Sequence, residues 1–445
     1  MVKDVSRSLL CASLAATLLL GGCSWISSLF DKKKDPPLPG ERISVLQGER
    51  KPPSISGSQG PVVLPRPEVN LEWPQAGGYP NHDMQHPALS EAPAKLWQVS
   101  IGDGSSSRQH VMSMPVVAGG RIYAIDSSGE VSCLDAGTGH QIWSVDSKPE
   151  DSNAPVVSGG LAFAEGRLFV ATGLAQVMAL NPADGKQIWV QNEPAPMHAA
   201  PTVLDGRVFV VTVENEMIAL SAVDGHKLWS QSGIANPASL MGGASPAAEG
   251  GIVIAPYSSG EIFALRAETG RTAWEDNLTA VRRVDAVSAL SDIRGRPVLD
   301  RGTLYAASHS GRIVAIDLRS GERLWDREIA SEHQPWVAGD YLYVLSTEGE
   351  LFCLTRTDGL VRWSTPLPRF EDPENRKGPI RWAGPVLSGD RLVVAGSNGT
   401  AMSVSPYTGE VLGKMDLGAK LLLAPIVANQ TLYFLTDDAT LIAYR

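Results

Sequence analysis

The sequence has 445 residues, which is enough for one large core or for several ordinary domains. Its formal net charge of −10 makes nucleic-acid binding a poor expectation. The 44 glycines and 31 prolines favour many short strands over long helices. Of the four cysteines, Cys11 and Cys23 lie near the N terminus, and Cys133 and Cys353 alone are too few for a disulfide framework.

The first predicted element is an export signal. Lys3 and Arg7 form a basic start, and the apolar run that follows over 9–20 is too short to span a bilayer comfortably. The run ends in Leu-Gly-Gly-Cys23, which resembles the lipobox of bacterial lipoproteins, where the cysteine is acylated and the chain is cleaved before it. The resemblance predicts a signal peptide over residues 1–22 and lipidation of Cys23. An ordinary secretory signal with an incidental cysteine is the alternative.

The predicted lipid anchor has an expected location. One acyl chain binds a membrane only marginally, whereas several chains make a stable anchor, and bacterial lipoproteins carry three. Lipoproteins held at the inner membrane typically have an aspartate after the cysteine, but here the residue is Ser24. The resemblance therefore implies an anchor in the outer membrane that faces the periplasm.

Residues 23–92 follow as a predicted tether. They show no sustained strand or helix periodicity, and they contain many prolines and a charge run over 31–35. A segment of this composition buries little apolar surface, so we predict a lipidated, proline-rich and flexible spacer. Within it, the piece that begins at Trp73 is a candidate to lie against the folded domain.

A phrase that ends in tryptophan recurs along the rest of the chain. In its clearest form, from Asp317 to Trp325, a turn with glycine leads into a short strand that carries the ring. The ring is expected to pack between neighbouring units, and glycine accepts the positive φ of the turn. Trp97 resembles the end of a copy whose beginning is missing, and the copy at Gly409 to Gly413 keeps the turn but loses the ring. The six complete pairs are Gly139 and Trp143, Gly185 and Trp189, Gly225 and Trp229, Gly270 and Trp274, Gly321 and Trp325, and Gly359 and Trp363.

Prolines mark the start of each unit at intervals of about forty residues, a period typical of propeller blades. The last unit starts at Pro425 and ends one strand short, whereas the strand at 96–99 stands alone. We therefore predict an all-β fold over residues 93–445: an eight-bladed β-propeller of four-stranded antiparallel blades, whose last blade is closed by the N-terminal strand. The opening prolines are Pro115, Pro155, Pro201, Pro246, Pro297, Pro335, Pro385 and Pro425.

The repeat resembles that of the PQQ-binding quinoprotein family, whose blades combine an alanine-rich third strand, a Thr-Gly or Asp-Gly turn and a docking tryptophan. Within this family the chain is similar to the BamB branch, outer-membrane lipoproteins with eight such blades and no cofactor. Residues 290–294 (Leu-Ser-Asp-Ile-Arg) and 315–321 are similar to BamB segments around the fifth blade. The resemblance implies a non-enzymatic scaffold for the assembly and insertion of outer-membrane proteins. It implies BamA, the barrel-forming subunit, as direct partner, with unfolded outer-membrane proteins as further candidates.

The alternative implied by the same family is a periplasmic PQQ-dependent oxidoreductase. Several such enzymes have two adjacent cysteines, and this sequence has no Cys-Cys pair. Cys133 and Cys353 hold equivalent third-strand positions in two units and are interpreted as small buried residues. Among the histidines only His82 and His86 have a ligand-like spacing, and in a proline-rich segment we expect them at the surface. We therefore expect no catalytic residue, no cofactor and no metal.

Long connections between units fall on one side of a propeller and are candidate partner-binding loops. The BamB resemblance implies that the second and third of them contact BamA. There Leu240 matches the family's apolar contact and Met241 replaces its arginine, while Asp292 matches one family aspartate and Arg294 replaces another. We predict that these four residues bind BamA, with Leu240 as an apolar anchor. The alternative is that the two loops only pack on each other. The long connections are 98–114, 230–245, 275–296 and 364–384.

Overall fold

The computed structural model describes residues 60–149, 159–197, 199–236, 242–279 and 292–445. In these ranges the regular structure is β-strand, arranged as eight four-stranded antiparallel sheets and one two-stranded hairpin. The predicted fold class, an eight-bladed propeller of four-stranded blades, is confirmed. Within the same ranges no helix has the length and apolar character needed to cross a membrane.

The strands of the first half of the chain begin with β1 (Lys95–Ser100), which belongs to blade 8. Blades 1 and 2 consist of β2 (Val116–Ala118), β3 (Arg121–Ile125), β4 (Glu130–Asp135), β5 (Gln141–Asp146), and β6 (Gly160–Ala164), β7 (Arg167–Ala171), β8 (Gln176–Leu180), β9 (Gln187–Asn192). Blades 3 and 4 consist of β10 (Thr202–Leu204), β11 (Arg207–Val211), β12 (Glu216–Ser221), β13 (Lys227–Ser232), and β14 (Ala247–Glu249), β15 (Ile252–Pro256), β16 (Glu261–Arg266), β17 (Thr272–Asn277).

The second half repeats this order with one insertion. Blades 5 and 6 consist of β18 (Val298–Asp300), β19 (Thr303–Ala307), β20 (Ile313–Asp317), β21 (Arg323–Arg327), and β22 (Trp336–Ala338), β23 (Tyr341–Leu345), β24 (Glu350–Thr355), β25 (Val361–Pro366). The inserted hairpin consists of β26 (Phe370–Asp372) and β27 (Lys377–Pro379). Blades 7 and 8 consist of β28 (Trp382–Ser388), β29 (Arg391–Gly396), β30 (Thr400–Val404), β31 (Val411–Asp416), and β32 (Ile426–Ala428), β33 (Thr431–Leu435), β34 (Thr440–Tyr444) with β1.

The first strands of blades 1 to 7 lie side by side in that order, around the axis of the propeller. The first three strands of a blade are mostly buried, as in β23, while the fourth strand alternates between exposed and buried residues, as in β21. This difference explains the sequence pattern, because a strand covered on both faces carries a continuous apolar run. Most opening prolines immediately precede a first strand, but Pro385 lies inside β28 at a register shift.

The repeated tryptophan binds the next blade, not its own. A Cβ added to Gly270 in blade 4 would lie 2.6 Å from the ring of Trp229, which belongs to the fourth strand of blade 3. The glycine therefore has two roles, because it accepts a φ of +70° and leaves room for the ring of the preceding blade. The indole N–H groups of Trp97, Trp143, Trp189, Trp229, Trp274, Trp325 and Trp363 donate to the carbonyl oxygens of Ala136, Pro182, Ala222, Ala267, Leu318, Arg356 and Pro406, respectively, at 2.8–3.3 Å.

Ring closure follows the same rule. Strand β1 pairs with β34, and the backbones of Ala94 and Arg445 exchange two hydrogen bonds of 2.8 and 2.9 Å. Trp97 on β1 then docks at Gly139 of blade 1, as every other ring docks on its following blade. Because the fourth strand of blade 8 comes from the other end of the chain, this blade has no third-to-fourth turn. A ring at Gly413 in blade 7 would have no such turn to dock on, which explains why this copy of the phrase lacks one.

The docking role of the glycines predicts a specific cost of substitution. Gly270→Ala is expected to destabilise the protein more than Gly250→Ala, although both glycines lie in blade 4 with positive φ. A Cβ at Gly250 would meet nothing within 4 Å, whereas at Gly270 it would displace Trp229. Overpacking of this kind typically costs about 1–3 kcal/mol beyond the backbone strain that both variants share. The free energy of unfolding in urea measures the difference, and equal losses would show that the ring does not need the glycine.

Residues 60–92, which we name the plug segment, cross the axis and contact every blade. In each blade a backbone N–H of the first strand or of the turn after it donates a hydrogen bond to an oxygen of the plug segment, at 2.6–3.0 Å. Trp73 is only 1% exposed and stacks on Trp336 with ring centroids 6.2 Å apart. The eight donors are Val117, Phe163, Val203, Ala248, Leu299, Gly339, Gly389 and Asn429.

The observed position of the plug segment shows that two sequence predictions were wrong. Residues 60–92 are not a free spacer, because their oxygens satisfy N–H groups at the inner edge of the propeller, which would otherwise lack partners. His82 and His86, expected at the surface, are 2% and 3% exposed and pair with backbone carbonyl oxygens. The predicted signal peptide over 1–22, the lipidation site at Cys23 and the tether up to residue 59 lie outside the described residues.

Candidate partner-binding face

The two sides of the propeller differ in the loops that they carry. Because neighbouring strands are antiparallel, the turns after the first and third strands of every blade share one side, which we name the hairpin face. The turns after the second strands and the connections between blades share the opposite side, which we name the connecting face. The plug segment meets the hairpin face, for example at Gly339 and Gly389. All four predicted partner-binding loops belong to the connecting face.

The second and third predicted loops meet at one pocket on the connecting face. The pocket is lined by Gly242 to Ala244 from the first of these loops and by Asp292 to Arg294 from the other. The turns of blades 3 and 4 complete the lining with Thr212, Asn215 and Ser258, among others. Its interior of about 40 Å³ has room for a few water molecules. The structure thus brings together two loops that are about fifty residues apart in the sequence.

The four predicted binding residues have different positions. Leu240 and Met241 lie outside the described residues. Asp292 lines the pocket but is only 2% exposed, and its backbone oxygen accepts a hydrogen bond from the N–H of His309 at 3.0 Å. Arg294 is partly exposed and approaches Gly242, where an added Cβ would lie 3.1 Å from a guanidinium nitrogen.

Arg294 forms an ion pair within this chain. One of its nitrogens lies 2.6 Å from a carboxylate oxygen of Glu332, whose other oxygen lies 2.8 Å from Nδ1 of His309. Burial opposes the charge of Glu332, but the contact with His309 and the charge of Arg294 outweigh it and lower the pKa of Glu332 to about 2. Glu332 therefore stays ionised at neutral pH and holds the connecting segments of blades 5 and 6 together.

Sequence reasoning missed two residues that position this face. Glu332 fixes Arg294, and no motif marks it in the sequence. Asn215 has a positive φ of 62°, and its side chain links three segments. It donates to the oxygen of Ile234 at 2.8 Å and accepts from the backbone and the hydroxyl of Ser258, both at 3.0 Å. The sequence did contain a signal for Asn215, because an asparagine at the second turn of a blade tolerates the left-handed region that such a turn requires.

The fourth predicted loop carries a hairpin. Strands β26 and β27 pair through Phe370 with Pro379 and Asp372 with Lys377. The hairpin is largely exposed, which agrees with the mixed charge of its sequence. Two carboxylate contacts shape it: Asp372 accepts from Asn375, and Arg369 at its base pairs with Glu348 at 2.9 Å. The hairpin thus extends the connecting face beside blades 6 and 7.

The cysteines agree with their predicted structural role. Cys133 and Cys353 are buried and unpaired, on the third strands of blades 1 and 6. Burial raises the pKa of both thiols, that of Cys133 to about 11, so neither is a thiolate at neutral pH. In the part of the chain that the structure describes, no group of three or more His, Cys, Asp or Glu side chains could hold a metal ion.

The fold and the docking tryptophans define a propeller of the PQQ-like repeat class. The model of the family described as "Outer membrane protein assembly factor BamB" matches residues 88–164, 127–365 and 371–445, and the chain belongs to this family. The BamB protein of Alkalilimnicola ehrlichii is 36% identical over 351 residues, which cover 79% of this chain and 88% of that protein.

Two solved structures illustrate the range of proteins that share this fold. BamB from Moraxella catarrhalis superposes with a TM-score of 0.68 at 19% identity, over 80% of this chain and all of that one. A quinohemoprotein alcohol dehydrogenase from Comamonas testosteroni superposes with a TM-score of 0.64 at 15% identity, over 84% of this chain and 80% of that one. At such identities the likeness concerns the fold alone. The family match decides between the two, and it is to a family of assembly factors, as predicted for a non-enzymatic protein.

Proposed function

We propose that this chain is a lipid-anchored scaffold of the outer-membrane β-barrel assembly machinery, facing the periplasm, and that it binds BamA and so aids the insertion of outer-membrane proteins. Its membership of the family of assembly factors supports the class of function. The observation that supports the binding face is the meeting of segments 242–244 and 292–294 at one pocket. Loops of neighbouring blades that meet in this way offer one continuous surface to a partner.

The roles of the predicted residues are refined by their surroundings. Leu240 and Met241 belong to the loop that enters the pocket at Gly242, and Leu240 supplies the apolar anchor in this proposal. Asp292 is buried, so it shapes the loop from within. Arg294 is partly exposed beside Glu332, so the pair presents a carboxylate and a guanidinium at a fixed separation. A partner that contacts this pair needs polar groups of its own at matching positions.

Replacing Leu240, the proposed apolar anchor, tests the binding face. Leu240→Asp is expected to fold normally but to lose co-purification with BamA from solubilised outer membranes, because interface anchors typically contribute about 2–4 kcal/mol. The matched control is Val223→Asp, which adds the same charge to the hairpin face at a side chain that is 63% exposed. The control should recover BamA as the wild type does. Full recovery with Leu240→Asp, or loss with both variants, would contradict the assignment of the connecting face.

The proposed lipid anchor at Cys23 is tested separately. Cys23→Ala should give a protein that is not acylated and no longer sediments with membranes, since each buried methylene of an acyl chain contributes about 0.8 kcal/mol. Cys133→Ala is the matched control, because that thiol is buried in blade 1 and cannot be acylated in the folded protein. Metabolic labelling with palmitate and fractionation on a density gradient measure both properties. Unchanged outer-membrane fractionation of Cys23→Ala would refute the lipid anchor.

A further inference from the structure

Two polar side chains lie near each other where the plug segment passes blade 5, and neither has a complete set of partners among the described residues. His82 of the plug segment is 2% exposed, and its Nδ1 lies 2.7 Å from the carbonyl oxygen of Pro297. Arg296 immediately precedes that proline, and its charge is close enough to His82 to lower the pKa of the imidazole. In the described part of the chain, Nε2 of His82 and Nε of Arg296 are both buried without a hydrogen-bond partner.

The chemistry of His82 is fixed by its surroundings. A carbonyl oxygen only accepts hydrogen bonds, so Nδ1 carries the hydrogen and Nε2 of the neutral ring is an acceptor. Burial, reinforced by the charge of Arg296, lowers the pKa of His82 to about 3, so the ring is neutral at any pH near 7. Gly77 and Gln334 hold the residue in place: a Cβ on Gly77 would lie 2.9 Å from the ring, and Gln334 donates to the oxygen of His82 at 2.9 Å. The site is therefore a rigid acceptor.

Arg296 supplies a charge that lacks a counter-ion. Among the described residues no carboxylate pairs with it, and burial lowers the pKa of its guanidinium to about 10. The nearby acid Asp300 is already engaged by Arg356 at 2.9 Å. Burial raises the pKa of Asp83 to about 6, and the charge of the nearby Asp300 adds to that shift. Arg296 is partly exposed, so solvent compensates part of its charge, but its buried Nε–H has no partner among the described residues, and a bound anion would supply one.

We propose that Arg296 and His82 form a binding site, inside the propeller against the plug segment, for a small oxyanion that keeps one hydroxyl hydrogen, of the hydrogen phosphate class. The guanidinium pairs with the charged oxygens in the fork geometry that arginine presents to phosphate. The neutral Nε2 accepts the remaining hydroxyl hydrogen of the ligand. An oxyanion without a hydroxyl hydrogen turns a lone pair toward Nε2 and is disfavoured. Free phosphate keeps a hydroxyl hydrogen at pH 7, whereas a phosphate monoester keeps one only in its singly charged form, below a second pKa of about 6.

Binding of inorganic phosphate to the full-length protein in detergent micelles tests the proposal. At pH 7 and constant ionic strength, phosphate is expected to bind saturably in calorimetry and to raise the thermal unfolding midpoint. Sulfate, which carries no hydroxyl hydrogen at this pH, should bind at least about tenfold more weakly, the equivalent of 1.4 kcal/mol. A phosphate monoester such as glycerol phosphate forms the second arm, and it is compared with phosphate at pH 6, where about half of it keeps a hydroxyl hydrogen. Tighter binding than phosphate at that pH would identify an organic phosphate as the ligand.

Variants assign the binding to the two residues. Arg296→Gln should abolish phosphate binding, whereas Arg319→Gln, at an exposed turn of the same blade, should leave it unchanged. Arg296→Lys keeps the charge but loses the fork geometry, so it should bind phosphate more weakly than the wild type. This variant still tests the assignment if Arg296→Gln does not fold. His82→Gln should reduce the preference for phosphate over sulfate. Equal binding of sulfate and phosphate, or no saturable binding by the wild type, would overturn the proposal and leave the two orphan nitrogens to a buried water.

Discussion

Replacing residues 94–100 by seven glycine and serine residues is expected to prevent blade 8 from closing and to lower the stability of the whole propeller. The replacement removes the fourth strand of that blade and exposes the edge of β34. It also removes Trp97, whose ring docks on Gly139 and whose indole donates to Ala136. Trp97 is partly buried, so loss of its ring costs less than the roughly 3–5 kcal/mol of a fully buried tryptophan and adds to the loss of the strand pairing. The midpoint of urea unfolding, followed by tryptophan fluorescence, measures the effect.

The same replacement elsewhere provides the control. Seven glycine and serine residues in place of residues 31–37 keep the length and composition of the change but leave every described contact intact. This variant should unfold at the same urea concentration as the wild type. If the two variants have equal midpoints, β1 does not close the ring in solution.

Trp73→Ala in the plug segment is expected to produce the second large effect, a loss of about 3–5 kcal/mol in the free energy of unfolding. The side chain is 1% exposed and stacks on Trp336 of blade 6, while its backbone exchanges two hydrogen bonds with Val117 of blade 1. Truncation leaves a cavity among side chains from opposite parts of the ring, which cannot collapse without moving blades.

The control for Trp73→Ala lies in the same segment. Tyr79 is also aromatic but is 42% exposed, so Tyr79→Ala should cost less than about 1 kcal/mol. Limited proteolysis adds a second readout, because a plug segment released from the axis becomes accessible to a protease. If Trp73→Ala unfolds like the wild type and resists proteolysis, the plug segment does not contribute to the stability of the propeller.

The repeated parts of the molecule could be predicted because each repeat solves the same packing problem. In blade 5 the short strand expected after the glycine turn, with Trp325 on it, agrees with β21. The seam at β1 and β34 could be predicted from a blade that lacks one strand and a strand that lacks a blade. The sequence did not predict whether each tryptophan ring docks on the preceding or on the following blade. Gly270 and Trp274 are neighbours in the sequence, yet the glycine holds Trp229, because only the blade stacking decides which ring faces which turn.

The candidate site was only partly predictable. Loop length and resemblance identified the two loops that meet at the pocket. The burial of Asp292 and the pairing of Arg294 with Glu332 depend on how blades 5 and 6 approach each other, and no local pattern records that distance. An unpaired charge and a paired one look alike in a sequence, so Arg294 and Arg296 could be distinguished only in the structure.

The sequence by itself determined the strands, the eight blades and their closure. Every blade buries the same strand positions, so the same pattern of apolar and turn residues recurs in every repeat. Only the tertiary structure decided the place of residues 60–92, which contact each blade through a different short stretch and therefore carry no period of their own. Their hydrogen bonds join residues that are up to 359 positions apart, as between Asn70 and Asn429, so no local pattern in the sequence records them. A segment stabilised by contacts from every repeat therefore resembles a spacer in its sequence and is part of the core in the folded protein.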